Sequence, residues 1–116
     1  MQMTKRLKNN IEILAIKGEL DLSNANIVKT ILDKEIAAGK INIVIDMKEL
    51  EYLDSSGIGV FINTMNKIRG LNGKFILLSM KDSVLRIFNL TKLTSFFKII
   101  KNETELDQIF GPSPKP

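Results

Sequence analysis

The chain has 116 residues, 44% of them hydrophobic and 26% charged, with a net charge of +4; this supports one real core rather than two, in a globular and not a disordered or fibrous chain. Neither cysteine nor histidine is present, which removes disulfides, thiolate chemistry, the Ser-His couple, a histidine general base and imidazole metal ligands together. Basic residues are dispersed from Lys5 to Lys115, clustering only at Lys5, Arg6 and Lys8, and aromatics are few; this is the pattern of a solvated surface and argues against nucleic-acid binding.

In chain order, residues 4–8 read as a short polar edge strand, followed by a turn at Asn9 and Asn10. Residues 11–20 form a second strand in which Ile11, Ile13 and Ala15 alternate with Leu14 and Ile16, so it is apolar on both faces and central. Ser23 or Asn24 caps a helix with a stripe of Ile27, Val28, Ile31, Leu32 and Ile36, and Gly39 stops it. A buried strand over residues 41–46 leads to the stretch Leu50-Glu51-Tyr52-Leu53-Asp54-Ser55-Ser56-Gly57-Ile58-Gly59, which opens the longest amphipathic helix pattern: Ile58, Phe61, Ile62, Met65 and Ile68. Gly70 and Gly73 end it.

Residues 75–78 are the next buried strand. Asp82 or Ser83 caps a helix bearing Val84, Leu85, Ile87 and Phe88, residues 96–100 form a last extended piece, and residues 104–110 make a helical turn or two with Leu106, Ile109 and Phe110 on its apolar side. Residues 111–116, Gly-Pro-Ser-Pro-Lys-Pro, are expected as a loose tail beyond a single domain of residues 1–110. The absence of any signal-peptide core or spanning stretch predicts no membrane insertion and a cytoplasmic location. The pattern as a whole predicts an α/β fold: a small mixed β-sheet, N-terminal hairpin plus parallel strands, with about four helices and right-handed crossovers.

Sites in such sheets form beyond the carboxyl ends of parallel strands, where the Asp54–Gly59 junction falls. Asp54, Ser55 and Ser56 precede the helical face, where their oxygens can cap the first amides. Two glycines in the first turn cost helix stability and let another backbone or molecule come close to the serines. A phosphate on Ser55 would lie near the positive end of the helix and its unpaired donors, whereas a partner surface fitted to a neutral hydroxyl would have to accept about −1.5 to −2 charges. On these residues alone, a pure capping role for Ser55 and Ser56 stands beside that of phosphoacceptor.

Asp21 reads either as a partner contact or as a turn residue ending its strand. Asp46 reads as a turn-forming aspartate, since the acidic pair of a magnesium-dependent phosphoacceptor site is missing. Val60 and Leu71, with Thr64 and Lys67, read as peripheral core or as a half-exposed patch. A Gly-x-Ser-x-Gly elbow and a phosphate-cradling Gly-x-x-x-x-Gly-Lys loop are both absent, so an enzyme is not expected.

Gly18-Glu19-Leu20-Asp21, then Asp54-Ser55-Ser56-Gly57-Ile58-Gly59, and later Arg86-Ile87-Phe88-Asn89-Leu90 before Leu93 resemble the STAS-domain anti-sigma factor antagonist family over nearly the whole chain. Asn89 and Thr91-Lys92 depart from the pattern, where members often carry aspartate and a glycine. The resemblance implies a bacterial partner switch. The unmodified protein binds an anti-sigma factor with serine kinase activity, phosphorylation ends that binding, and a metal-dependent serine phosphatase restores it. It implies Ser55 as the phosphoacceptor, with Ser56 the second candidate; Asp21, Asp54, Ser56, Gly57, Ile58 and Gly59 are expected on the partner-binding surface, and no cofactor, bound metal or catalytic residue is expected. A regulatory STAS subunit of a transporter complex, without serine phosphorylation, is the other role that the resemblance admits.

Overall fold

β2 (Ile11–Leu20) organises the sheet of the computed structural model, which describes residues 1–111. It pairs antiparallel with β1 (Gln2–Lys8). Asn9 and Asn10 between them hold φ of 53° and 68°, the positive dihedrals that a two-residue hairpin loop needs and that asparagine tolerates. β2 also runs parallel to β3 (Asn42–Asp46) and, after a register shift between Gly18 and Glu19, to β4 (Leu50–Leu53). β5 (Lys74–Leu78) pairs parallel with β3, and β6 (Lys98–Ile100) with β5, giving the order β1-β2-β3-β5-β6 with β4 joined to β2 alone. The expected α/β fold is therefore present, with four α-helices and a six-stranded mixed sheet among the described residues.

Because side chains alternate across a strand, the apolar runs serve two cores. On one face, Leu14, Ile16, Ile43, Ile45, Phe75 and Leu77 pack beneath α1 (Ala25–Ala37), α2 (Ser55–Gly70) and α3 (Asp82–Leu90), which contribute Val28 and Leu32, Phe61 and Met65, and Val84 and Phe88. Tilted and edge-on ring contacts link Phe61, Phe75, Phe97 and Phe88 across that core. On the other face Ile13, Val44, Ile76 and Leu78 pack with Leu106 of α4 (Leu106–Phe110), which follows a 3-10 turn at Glu103–Glu105. Each fully buried side chain of this size contributes about 1.5–3 kcal/mol, so both helical layers are held by the sheet rather than by helix propensity.

Several expectations are corrected. Leu50–Leu53 is a strand in its own right, not merely the approach to a helix. Ile27 is 55% exposed and falls outside the buried stripe of α1, which keeps the expected Val28 and Leu32 and adds Ala25. Of the two readings of Val60 and Thr64 the core one holds, since both are buried; the patch with Leu71, which is half-exposed, is not formed. The last strand starts at Lys98, with Phe96 and Phe97 in the preceding turn. Lys81, not Asp82 or Ser83, sits at the N-cap of α3. The expected tail, apart from Gly111, lies outside the described residues.

One acid breaks the apolar pattern. Glu12 shares the helix-facing side of β2 with Leu14 and Ile16 and is 1% exposed. Lys5 Nζ is bonded to Glu35 at 3.0 Å and stands 3.9 Å from Glu12. Burial, and then the neighbouring Glu35 carboxyl, push the Glu12 carboxyl up from its ordinary range, while Lys5 and Lys40 oppose the shift.

Candidate functional site

Two loops meet at the carboxyl ends of β2 and β4. Leu20 and Leu53 are register partners, so the residues after them, Asp21 and Asp54, leave the sheet side by side. Asp54 N donates to the Leu20 carbonyl at 3.1 Å. Asp54 is the N-cap of α2 in extended conformation, with Oδ1 accepting from Ser56 N at 2.9 Å and Gly57 N at 3.3 Å. Its other oxygen, Oδ2, accepts from Leu22 N at 3.1 Å. One carboxylate thus satisfies orphan helix amides and pins the neighbouring loop.

That loop is bonded within itself as well. Asp21 Oδ1 accepts from Ser23 N at 3.0 Å and from Ser23 Oγ at 2.5 Å. Asn24 Oδ1 accepts from Asp21 N at 2.9 Å, and Asn24 Nδ2 donates to the Glu19 carbonyl at 2.9 Å. Asn24 therefore braces the loop instead of capping α1 through its side chain.

Ser55 is the first residue of α2 and is exposed, and its hydroxyl makes no side-chain hydrogen bond among the described residues. Ser56, Asp54 and Asp21 are half-buried. Gly57 and Ile58 turn into the core, and Gly59 is open to solvent. A Cβ on Gly57 would lie 2.8 Å from Leu20 Cγ, whereas one on Gly59 would meet nothing within 4 Å. Gly57 thus lets α2 approach β2 closely, and Gly59 leaves the helix surface bare beside Ser55.

Asp46 is not part of this cluster. It is 8% exposed, accepts from Lys48 N at 3.1 Å and lies 3.7 Å from Arg6, consistent with its reading as a turn former. Two apolar side chains escaped the sequence reading: Leu22, 79% exposed on the loop that Asp54 pins, and Tyr52, 45% exposed on β4. The signal was the isolated leucine between Asp21 and Ser23. Among the described residues no group of acids could hold a metal ion, and no helix is long and apolar enough to cross a membrane.

The model of the STAS domain family matches residues 2–106. The anti-sigma-B factor antagonist of Listeria monocytogenes is 29% identical over 107 residues, covering 92% of this chain and 93% of that one. The crystal structure of a Thermotoga maritima protein superposes with a TM-score of 0.87 at 27% identity, covering 92% of each chain. The unphosphorylated form of the anti-sigma factor antagonist SpoIIAA gives a TM-score of 0.73 at 20% identity over 96% of this chain and 100% of that one; its phosphorylated form has also been solved. With a family match spanning both cores and both loops of the site, the chain belongs to the STAS domain family.

Proposed function

We propose that this protein is an anti-sigma factor antagonist working as a phosphorylation-controlled binding module. Unmodified, it binds an anti-sigma factor that is also a serine kinase. The kinase transfers the terminal phosphoryl group of ATP to Ser55 Oγ, whose proton is lost as ADP leaves, and the complex then dissociates. A metal-dependent serine phosphatase restores the hydroxyl with water and releases inorganic phosphate. That the Listeria monocytogenes relative is an anti-sigma-B factor antagonist supports the partner class.

The observation that carries the reading is the exposed, unbonded Ser55 hydroxyl directly after an aspartate whose two oxygens are already occupied. Asp54 holds the Ser56 and Gly57 amides, so a phosphate on Ser55 need not rearrange the helix start. It adds about −1.5 to −2 charges to the surface beside Asp54, and exposed Leu22, on the loop that Asp54 pins, supplies apolar contact area there. A partner packed against this face would have to desolvate the new anion without a matching cation, a large penalty. Asp21, Asp54, Ser56 and Gly59 complete the contact surface, and Gly57 and Ile58 set its shape from beneath.

Incubation with the cognate kinase and ATP, followed by intact-mass analysis, is expected to show one phosphoryl group on the wild type and none on Ser55→Ala. In a pull-down the unmodified protein retains the kinase and Ser55→Asp does not. Undiminished incorporation in Ser55→Ala, or equal retention of the kinase by Ser55→Asp, defeats the proposal.

A further inference from the structure

Toward the other end of α2, about 15–21 Å from Ser55 along its axis, a cleft of about 420 Å³ opens where β5 and β6 begin. It exists because the strands are staggered. β6 starts opposite Ile76, so Lys74 and Phe75 have β3 on one side and no strand on the other. Met65 and Ile68 of α2, Phe75 and the ring of Phe96 form its apolar wall, and Ile109 of α4 approaches from the second core.

Three cations line its rim: Arg69 on the helix side with the apolar wall, and Lys74 and Lys98, which share the strand parity of Ile76 and Ile100, on the α4 side of the open edge. None of them forms an ion pair among the described residues, a condition shared with Lys34, Lys40, Lys48, Arg86, Lys92 and Lys101; what sets these three apart is the cleft that they line. The Arg69 guanidinium lies 5.9 Å from the Phe96 ring centroid, and its Nη2 is 3.7 Å from Met65 Sδ, so it is held across the cleft wall by soft contacts and no carboxylate. Lys98 feels the charge of Glu105, but that carboxylate is committed to the Lys101 and Asn102 amides at 3.0 and 2.9 Å.

We infer that this cleft binds a small amphiphilic carboxylate, an aliphatic or aromatic acid whose apolar body lies on Met65, Ile68, Phe75 and Phe96 and whose anion meets Arg69, Lys74 and Lys98. The volume falls within the range of about 300–1,000 Å³ usual for small-molecule sites, which combine an apolar lining with a few orienting polar groups. Arginine is the side chain whose planar fork matches a carboxylate. A neutral hydrocarbon leaves the cations unmatched, and a compact anion such as phosphate leaves the exposed Phe96 ring uncovered, so a ligand with both parts uses more of the cleft than either.

The test is a titration of the isotopically labelled full chain, followed by amide NMR, with decanoate below its micellar concentration and with decanol and acetate as matched controls. Saturable shifts at Gly73, Lys74, Phe75 and Lys98 are expected with decanoate, and binding at least about tenfold weaker both with decanol, which loses the charge-assisted contact, and with acetate, which loses the apolar body. Lys74→Glu, at an exposed position, is expected to weaken decanoate by a similar factor while leaving the spectrum of the free protein otherwise intact. Absence of saturable shifts, equal binding of decanol, or full affinity in Lys74→Glu overturns the assignment. A parallel series of aryl carboxylates then separates the aromatic from the aliphatic acid.

Discussion

Asp54 Oδ2 receives the Leu22 amide at 3.1 Å while its Oδ1 receives those of Ser56 and Gly57. Asp54→Ala therefore removes an N-cap and a loop tether in one change. Loss of a good N-cap costs about 0.5–2 kcal/mol, and the tether places this variant at the upper end. Urea denaturation gives the magnitude. Hydrogen exchange should speed up at Leu22 and Ser56 together, and a change confined to α2 would show that the tether has no energetic weight.

Ser55 behaves in the opposite way. Its side chain is exposed and unbonded, so Ser55→Ala and Ser55→Asp are expected to stay within about 0.5 kcal/mol of the wild type, as surface substitutions usually do. A thermal melt shifted well beyond that in either variant would mean that the hydroxyl supports the fold and is not simply presented to a partner.

Gly57 and Gly59 are two residues apart in one helix and should respond with opposite signs. Gly59→Ala meets open space and is expected to gain about 0.5–1 kcal/mol from helix propensity. Gly57→Ala sets its methyl 2.8 Å from Leu20 Cγ, inside a buried contact where overpacking costs about 1–3 kcal/mol, which outweighs the same propensity gain. Denaturation midpoints of the pair that move in the same direction would contradict the close approach of α2 to β2.

Lys92 holds φ of 60° just past the end of α3, where its amide and that of Leu93 close the helix by bonding the Asn89 and Phe88 carbonyls. The left-handed region costs a residue with a Cβ about 1–2 kcal/mol, and glycine gives part of this back through its freer unfolded chain. Lys92→Gly is expected to stabilise by about 0.5–1 kcal/mol. Differential scanning calorimetry checks it, and a lowered midpoint would rule out the strain.

Glu12 supplies a pH dependence whose sign can be worked out. Its folded carboxyl titrates above the unfolded one because burial disfavours the anion. Between those two values the folded chain binds more protons than the unfolded chain, so this contribution is present in acid and is lost as pH rises through the elevated folded value. Glu103 and Asp33 act in reverse. Each is lowered first by a side-chain hydrogen bond, to Arg6 and to Lys29 respectively, so their contributions are present above the ordinary carboxylate range and are lost on acidification. Glu12→Gln should therefore flatten the decline on the alkaline side of that range and leave the acid limb in place; an unchanged alkaline slope would assign the decline to other groups.

Much of the fold was legible because long apolar periods dominate it. β3, β5 and the inward stripe of α2 each present side chains at the spacing that their neighbours require. β4 escaped because its burial runs buried, exposed, exposed, buried, with no alternation to read across the register shift at Gly18 and Glu19. Val60 and Thr64 looked peripheral because a stripe for one contact face was assumed, but α2 packs against α1, β4 and β5 and buries a wider arc. The position of Ser55 at a helix start could be read from local residues. The link from Asp54 to Leu22, 32 residues apart in sequence, depends on β2 and β4 lying side by side, which no local pattern encodes.

That adjacency has a mechanical consequence. With Leu20 and Leu53 in register and Asp54 bridging the turns that follow them, Leu22 and Ser55 are carried on two loops tied to each other. Under the proposed function, a protein docking there would meet a surface already assembled and would forfeit little chain entropy in settling its two sides.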